Sequence, residues 1–296
     1  MPLPTKGIVW FLVIAFGGTW PYLFFARLVM GWSLVNPLVQ LPVAFMPAIG
    51  AFVVRRWVTR EGFGDAGLRL RVREKWRHWL IAWFGPLVVT ALTLVCAAAA
   101  GWWTVDLTPA GGPAGIVVLL LLQVVLMPVY MGEEFGWTSF LWPRLIAGRP
   151  RLSMVATGFL WAVWHYPLAF LGYAQFTDHT ISMVLWTAMF MLFEVMLCWL
   201  YAKTNSVWIT SLAHSGNNIV MGMLTEQLLT ASAQPNQLQT MICTDIALAL
   251  VCIPLLRSKP FTSTPPTPNT NPKHPSHEHP SHEHPSHEHP SHEHPS

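Results

Sequence analysis

Charge is what this chain has least of. Asp, Glu, Lys and Arg make up only 10% of its 296 residues, against 53% hydrophobic residues. That balance excludes an ordinary soluble domain. Cysteine is scarce too. The four, Cys96, Cys198, Cys243 and Cys252, all fall in apolar stretches without metal-ligand spacing. They read as inert buried thiols, not as a disulfide framework. No Walker A motif and no dinucleotide fingerprint occurs, so nucleotide-driven chemistry lacks support and no nucleic-acid partner is expected. None of Ser139, Ser211 and Ser215 sits in a G-x-S-x-G elbow, which argues against a nucleophilic serine. A C-a-a-X ending is missing, so the chain is not expected to be prenylated itself. The opening MPLPTK leads into a long apolar run with no evident small-residue cleavage site. The first segment is therefore expected to stay as a membrane helix.

Long apolar runs are what the chain has most of. A bilayer core needs roughly 20 apolar residues per helix. Eight stretches qualify as expected spans: about 7–30, 37–57, 78–101, 114–135, 152–172, 181–201, 206–223 and 238–256. The fourth can run on towards Trp142. The seventh is short and polar, so neighbouring helices must shield it. The 16 Trp suit interfacial belts, and 25 Pro are tolerable where neighbouring helices satisfy the freed backbone groups. The expected fold is all-α: a polytopic integral membrane bundle of about eight helices with its active site between them.

Cation placement orients this bundle. With eight spans and a cytoplasmic N-terminus, 16 of the 17 Lys and Arg fall on the inner side, and only Arg27 lies outside. The positive-inside rule then puts both termini in the cytoplasm, in a plasma (inner) membrane of bacterial type. Residues 1–257 form the expected membrane domain. From 258 the composition changes: a Pro- and Thr-rich stretch leads into four His-Pro-Ser-His-Glu repeats and a closing His-Pro-Ser, and this tail holds nine of the 13 histidines. Such a tail, 258–296, cannot build a core and is expected to be disordered. Its imidazoles suit loose Zn, Ni or Cu binding, although a replicated low-complexity tail without a role explains the same sequence.

Against this apolar background the polar residues stand out. Glu133 and Glu134 end the run 116–130, His165 lies in GFLWAVWHYPLAF, and His214 and Asn218 lie in WITSLAHSGNNIVMG. Ionisable groups in spans are costly and mark functional sites by default. His214 and Asn218 are four apart and share a helix face. The adjacent glutamates point roughly 100° apart, so each has its own role. A carboxylate and an imidazole can take a proton from water, and an amide can donate to an oxyanion. Two imidazoles and a carboxylate can also hold zinc with an open position for water. Each residue alone has an ordinary alternative, as an interfacial acid or as interhelical glue. Their combination favours chemistry. Glu194 and Asp245 lack motif partners and read as packing or cavity residues.

Taken together, GEEFGWTSFLWPRL, FLWAVWHYPL and KTNSVWITSLAHSGNN resemble the three motif regions of the CAAX prenyl protease and bacteriocin-processing family of intramembrane metalloproteases. The resemblance is close over about 130–220 and looser towards the N-terminus. It implies an endopeptidase acting on a peptide or membrane-protein substrate in the bilayer. By position it implies that Glu133 and His165 activate water, that His214 and Asn218 stabilise the oxyanion, and that Glu134 supports Glu133. The motifs fit either a metal-free site or a Zn2+ site with Glu133, His165 and His214 as ligands and Glu134 as base. The eukaryotic branch trims C-terminal tripeptides from prenylated proteins, which a bacterial chain need not do. One departure stands out: where the family has an arginine, four residues after the second glutamate, this chain has Thr138. That change supports a rival reading, a non-catalytic membrane binder, such as an immunity or scaffold protein, on the same fold. A proton-relaying transporter is a weaker rival, since no internal repeat supports it.

Overall fold

The computed structural model describes residues 3–174, 176–230 and 235–258. The histidine-rich tail expected at 258–296 lies outside these residues, apart from Ser258. Among the described residues all regular structure is helical. The long helices are α1 (Leu3–Phe24), α2 (Pro37–Val53), α3 (Trp76–Ala99) and α4 (Gly112–Glu134). A four-residue α5 (Trp142–Leu145) precedes α6 (Pro150–Phe170) and α7 (His179–Thr204). After α8 (Val207–Gly216) come a one-turn α9 (Met223–Thr225) and α10 (Gln237–Leu256).

Local chemistry sets the helix starts. Asn36 caps α2 by accepting from the Leu38 amide, with Pro37 in the first turn. Asp178 caps α7 by accepting from Ile181, and Asn236 and Gln239 form a reciprocal capping box on α10. Asn205, in the left-handed region at φ 46°, ends α7.

Among the described residues six segments are long and apolar enough to cross a membrane: Thr5–Val29, Pro37–Val58, Trp76–Ala99, Gly112–Leu145, His179–Thr204 and Gln237–Leu256. The fourth continues past 135 through Trp142, the run-on the sequence allows, because a π-helical turn, Phe135–Leu141, carries the helix on into α5. The expected spans 152–172 and 206–223 are helical as well, but they are not among these six. They hold the polar positions Ser153, Thr157, Thr210, Ser211, His214 and Ser215, all buried by neighbouring helices. Large apolar side chains such as Leu28, Val95, Val125 and Leu250 face outward, as a bundle solvated by lipid requires. The fold is a polytopic helical membrane bundle.

Helices α4 and α8 pack together, α2 covers α4, α6 packs on α7, and α3 and α7 both pack on α10. Small residues allow the closest approaches. A Cβ at Gly132 would collide with the Ala44 carbonyl, and one at Gly136 with Pro47, so the α2–α4 contact depends on both glycines. Gln123 of α4 sits fully buried and donates to the carbonyls of Ala82, Trp83 and Leu212 at 3.2, 3.2 and 3.1 Å. It ties α3, α4 and α8 at one point.

The chain alternates direction through the bundle, so the loops divide between two ends. The end formed by 54–75, 146–149 and 205–206 carries every described Lys and Arg except Arg27. Here Arg55 binds Asp65 at 2.8 Å and the Gly62 carbonyl at 2.9 Å, and Arg144 binds Glu61 at 2.9 Å. The loop is also stitched to the start of α8: the Val207 amide donates to the Gly67 carbonyl and the Trp208 indole to the Leu68 carbonyl. Burial opposes ionisation of Asp65, but the Arg55 hydrogen bond and the charges of Arg55 and Arg144 outweigh it and hold the carboxyl below its ordinary value of 3.8.

Two predictions follow from this division of the ends. Reporter fusions after Arg71 and Arg149 are expected to fall in one compartment, and fusions near Asp106 and His179 in the other. Acidification gives the second. The depressed Asp65 pKa stabilises the fold above pH 3.8 and loses that contribution as pH falls below it. Asp65→Asn should therefore lower the thermal midpoint at pH 6 and flatten its decline between pH 4 and 2.5, measured in detergent against wild type.

Candidate active site

The two glutamates sit at the end of α4, where the regular helix gives way to the π-helical turn. Such turns widen the helix and frequently occur at functional sites. Glu133 is 7% exposed and Glu134 is fully buried. The pair diverges as their adjacency requires. Glu133 faces a cavity of about 510 Å³ between the helices, whereas Glu134 lies behind the cavity wall.

Each carboxylate has its own donors. Glu133 Oε2 accepts from the Trp161 indole at 2.7 Å, and His165 Nε2 stands 3.9 Å from that same oxygen. That gap is too long for a direct hydrogen bond and suits one bridging water. Glu134 Oε1 meets His214 Nδ1 at 2.8 Å, and the Thr138 hydroxyl shares its one proton between the Glu134 backbone carbonyl at 2.6 Å and Glu134 Oε2 at 3.0 Å. Thr138, at the position where the family pattern has arginine, therefore contacts the second glutamate as a neutral donor. Arg144 is turned away, to Glu61 and the Phe140 carbonyl.

Aromatic rings fix the imidazoles. His165 stacks on Phe190 with centroids 4.4 Å apart, and its Nδ1 lies 2.9 Å from the Trp161 carbonyl oxygen. That oxygen can only accept, so Nδ1 carries the proton and Nε2 presents a lone pair towards Glu133. His214 packs between Trp161 and Tyr130, with centroids at 5.1 and 4.7 Å. With Nδ1–H donated to Glu134, its Nε2 is left for the cavity. Protonated on both nitrogens, His214 would present an N–H there, with Glu134 as its counter-ion.

The structure thus brings Glu133, His165 and His214 to one cavity wall and sets Glu134 directly behind His214. Asn218 lines the same cavity, but its amide donates at 3.3 Å to the His214 carbonyl of its own helix. The neighbouring Asn217 is buried on the same wall, and its Oδ1 has no partner among the described residues. Glu194 is fully buried away from the cavity wall, and its Oε1 receives a hydrogen bond from Cys198. Sequence reasoning missed Trp161 as the donor to Glu133, Tyr130 as a wall of His214, and Asn217. Only Trp161 carried a signal: it lies four residues before His165 and so shares its helix face.

The expected zinc ligands Glu133, His165 and His214 all line one cavity. Among the described residues no three His, Cys, Asp or Glu side chains are grouped as metal ligands. The indole occupies Glu133 Oε2, whereas the Nδ1 contacts of His165 and His214 leave both Nε2 atoms open.

A family model covers the segment that carries these residues. Residues 113–220 match the family model described as type II CAAX prenyl endopeptidase Rce1-like. This match supports the CAAX protease and bacteriocin-processing family. No curated protein matches the chain. The family segment runs from the start of α4 to just past Asn218, and so spans all five candidate residues. It makes the chain protease-like in fold and ties it to the membrane.

The Thr138 contact yields a stability prediction. Thr138→Val keeps the shape but removes the hydroxyl shared between the buried Glu134 carboxylate and its backbone carbonyl. It should cost about 1–3 kcal/mol, read as a lower midpoint of thermal unfolding in detergent, whereas Thr138→Ser should retain most of it.

Proposed function

We propose that the chain is an intramembrane endopeptidase that hydrolyses a peptide bond of a membrane-associated substrate. The observation that carries the reading is the pair of facing groups, Glu133 Oε2 and His165 Nε2, 3.9 Å apart on a cavity wall. A water held between them would lose its proton to one of them as it attacks the scissile carbon. His214 Nε2–H, sustained by Glu134, is the donor best placed for the oxyanion that forms. Asn218 could join it after a side-chain rotation that releases the His214 carbonyl. Glu134 acts as a positioning residue, holding the His214 ring and its charge. The sequence orientation puts both termini in the cytoplasm of a plasma membrane.

A second reading has two observations in its favour. The cation of the family pattern is replaced by Thr138, and the Asn218 amide is engaged with its own helix. Both suit a non-catalytic membrane binder. The two readings part on one substitution. Glu133→Gln keeps the indole bond but carries no charge and accepts no proton. Under the protease reading it lowers turnover by about 10²-fold or more, while expression and thermal midpoint hardly change, because an uncharged isostere removes a buried charge without opening a gap. The measurement is a comparison of new peptide termini in membranes carrying wild type and variant. Identical termini, with the biological effect of the wild type retained, would establish the binder. Loss of cleavage on chelation and its return with zinc would place a metal in the mechanism.

A further inference from the structure

An oxyanion in this cavity would find His214 Nε2 as a donor, but the expected second donor is committed. Asn218 gives its amide to the His214 carbonyl at 3.3 Å. Gln40, further along the wall, donates to the Leu34 carbonyl. The Trp161 indole is held by Glu133.

Tyr130 is placed differently. It lines the cavity from α4, three residues before Glu133 and four before Glu134, on the same face of that helix. Its ring lies against the His214 imidazole, with centroids 4.7 Å apart and planes at 46°. Its hydroxyl makes no hydrogen bond with any described residue. The Glu133 charge acts on that hydroxyl, so the phenol oxygen lies on the reactive side of the cavity. A phenylalanine would pack against His214 equally well. The hydroxyl therefore adds nothing to the packing, yet the ring holds it beside both the carboxylate and the imidazole of the site.

Resting on the endopeptidase reading, we propose that Tyr130 is a further catalytic residue: its Oη–H donates, beside His214 Nε2–H, to the oxygen of the scissile carbonyl as that oxygen becomes negative. The Glu133–His165 pair takes the proton of the attacking water as the new C–O bond forms. The π electrons of the carbonyl move onto its oxygen, where the two donors stabilise them. When they return, the C–N bond breaks, and the proton held by the pair passes to the leaving nitrogen. Tyr130 keeps its own proton throughout, since a phenol is a much weaker acid than a carboxylic acid or an imidazolium. Unlike Asn218, it has no bond to its own helix to give up first.

The test uses the full chain in nanodiscs, as wild type and Tyr130→Phe, with two labelled apolar peptides blocked at both ends. One carries a central difluoroketone, which hydrates to a tetrahedral diol. The other carries a ketomethylene group, which stays planar. Binding is read by fluorescence anisotropy, and cleavage as the rate at which new peptide termini appear in membranes. Wild type is expected to bind the difluoroketone at least about 10-fold tighter than the ketomethylene peptide. Tyr130→Phe should remove about 10-fold of the difluoroketone binding, leave the ketomethylene peptide within about twofold, and slow cleavage by about 10²-fold. The thermal midpoint should not move, because no partner of the hydroxyl is stranded. Equal weakening of both probes, or no weakening of either, overturns the proposal. If Tyr130→Phe forms termini at the wild-type rate, the role of Tyr130 fails and the protease reading stands. If the selective loss of difluoroketone binding appears while wild type forms no new termini, the protease reading fails and donation by Tyr130 stands.

Discussion

A carboxylate buried among apolar helices must be given donors, and the arrangement around Glu134 is the answer this bundle makes. One oxygen meets His214 from α8, and the other meets Thr138 one turn further along its own helix. Next to it, Glu133 receives the indole of Trp161 from α6. Two adjacent acids on one helix thereby fix the relative rotation of three. A helix rotated out of place would strand a charge without partners, which is far more costly than a lost apolar contact. The apolar core can tolerate small shifts; these bonds cannot.

The supports of this cluster are less conspicuous than the cluster itself. Gln123 holds three carbonyls from two neighbouring helices, and the Ser215 hydroxyl donates to the Gln123 carbonyl at 2.8 Å. Gly216 leaves room for that side chain, since a Cβ there would stand 2.7 Å from Gln123 Nε2. His214 is thus anchored from the residues that follow it as well as through its ring. At the basic end, Arg144 lies beyond the wide turn and binds Glu61, so the helix that carries the acids is also held from below.

Much of this was legible in the sequence, for definite reasons. Apolar runs of bilayer length could only be helices, because no other open structure satisfies its backbone in lipid. The glutamates and histidines were conspicuous because charge is so rare around them. What escaped was whatever depends on a partner from another helix. Nothing local announces that the Trp161 nitrogen points at Glu133, or that Asn217 rather than Asn218 presents the unpaired oxygen. The number of spans was also blurred by the site. The helices bearing His165 and His214 are less apolar than true lipid-facing spans because they carry buried polar contacts instead. Thr138 could be noticed as a departure, but its bond to Glu134 needed coordinates.

The π-helical turns have a consequence for how such a chain can vary. One, Phe135–Leu141, separates the acids from Arg144, and another, Asn217–Gly222, follows the end of α8 that carries His214. In a regular helix an inserted residue turns everything beyond it by roughly 100°, so the site and its distant anchor could not both keep their bearings. A wide turn absorbs such an extra residue locally. Each acts as a slack joint between a fixed reactive segment and the part of the helix beyond it. Loop length and mouth shape can then drift over generations while the acids and imidazoles hold their aim.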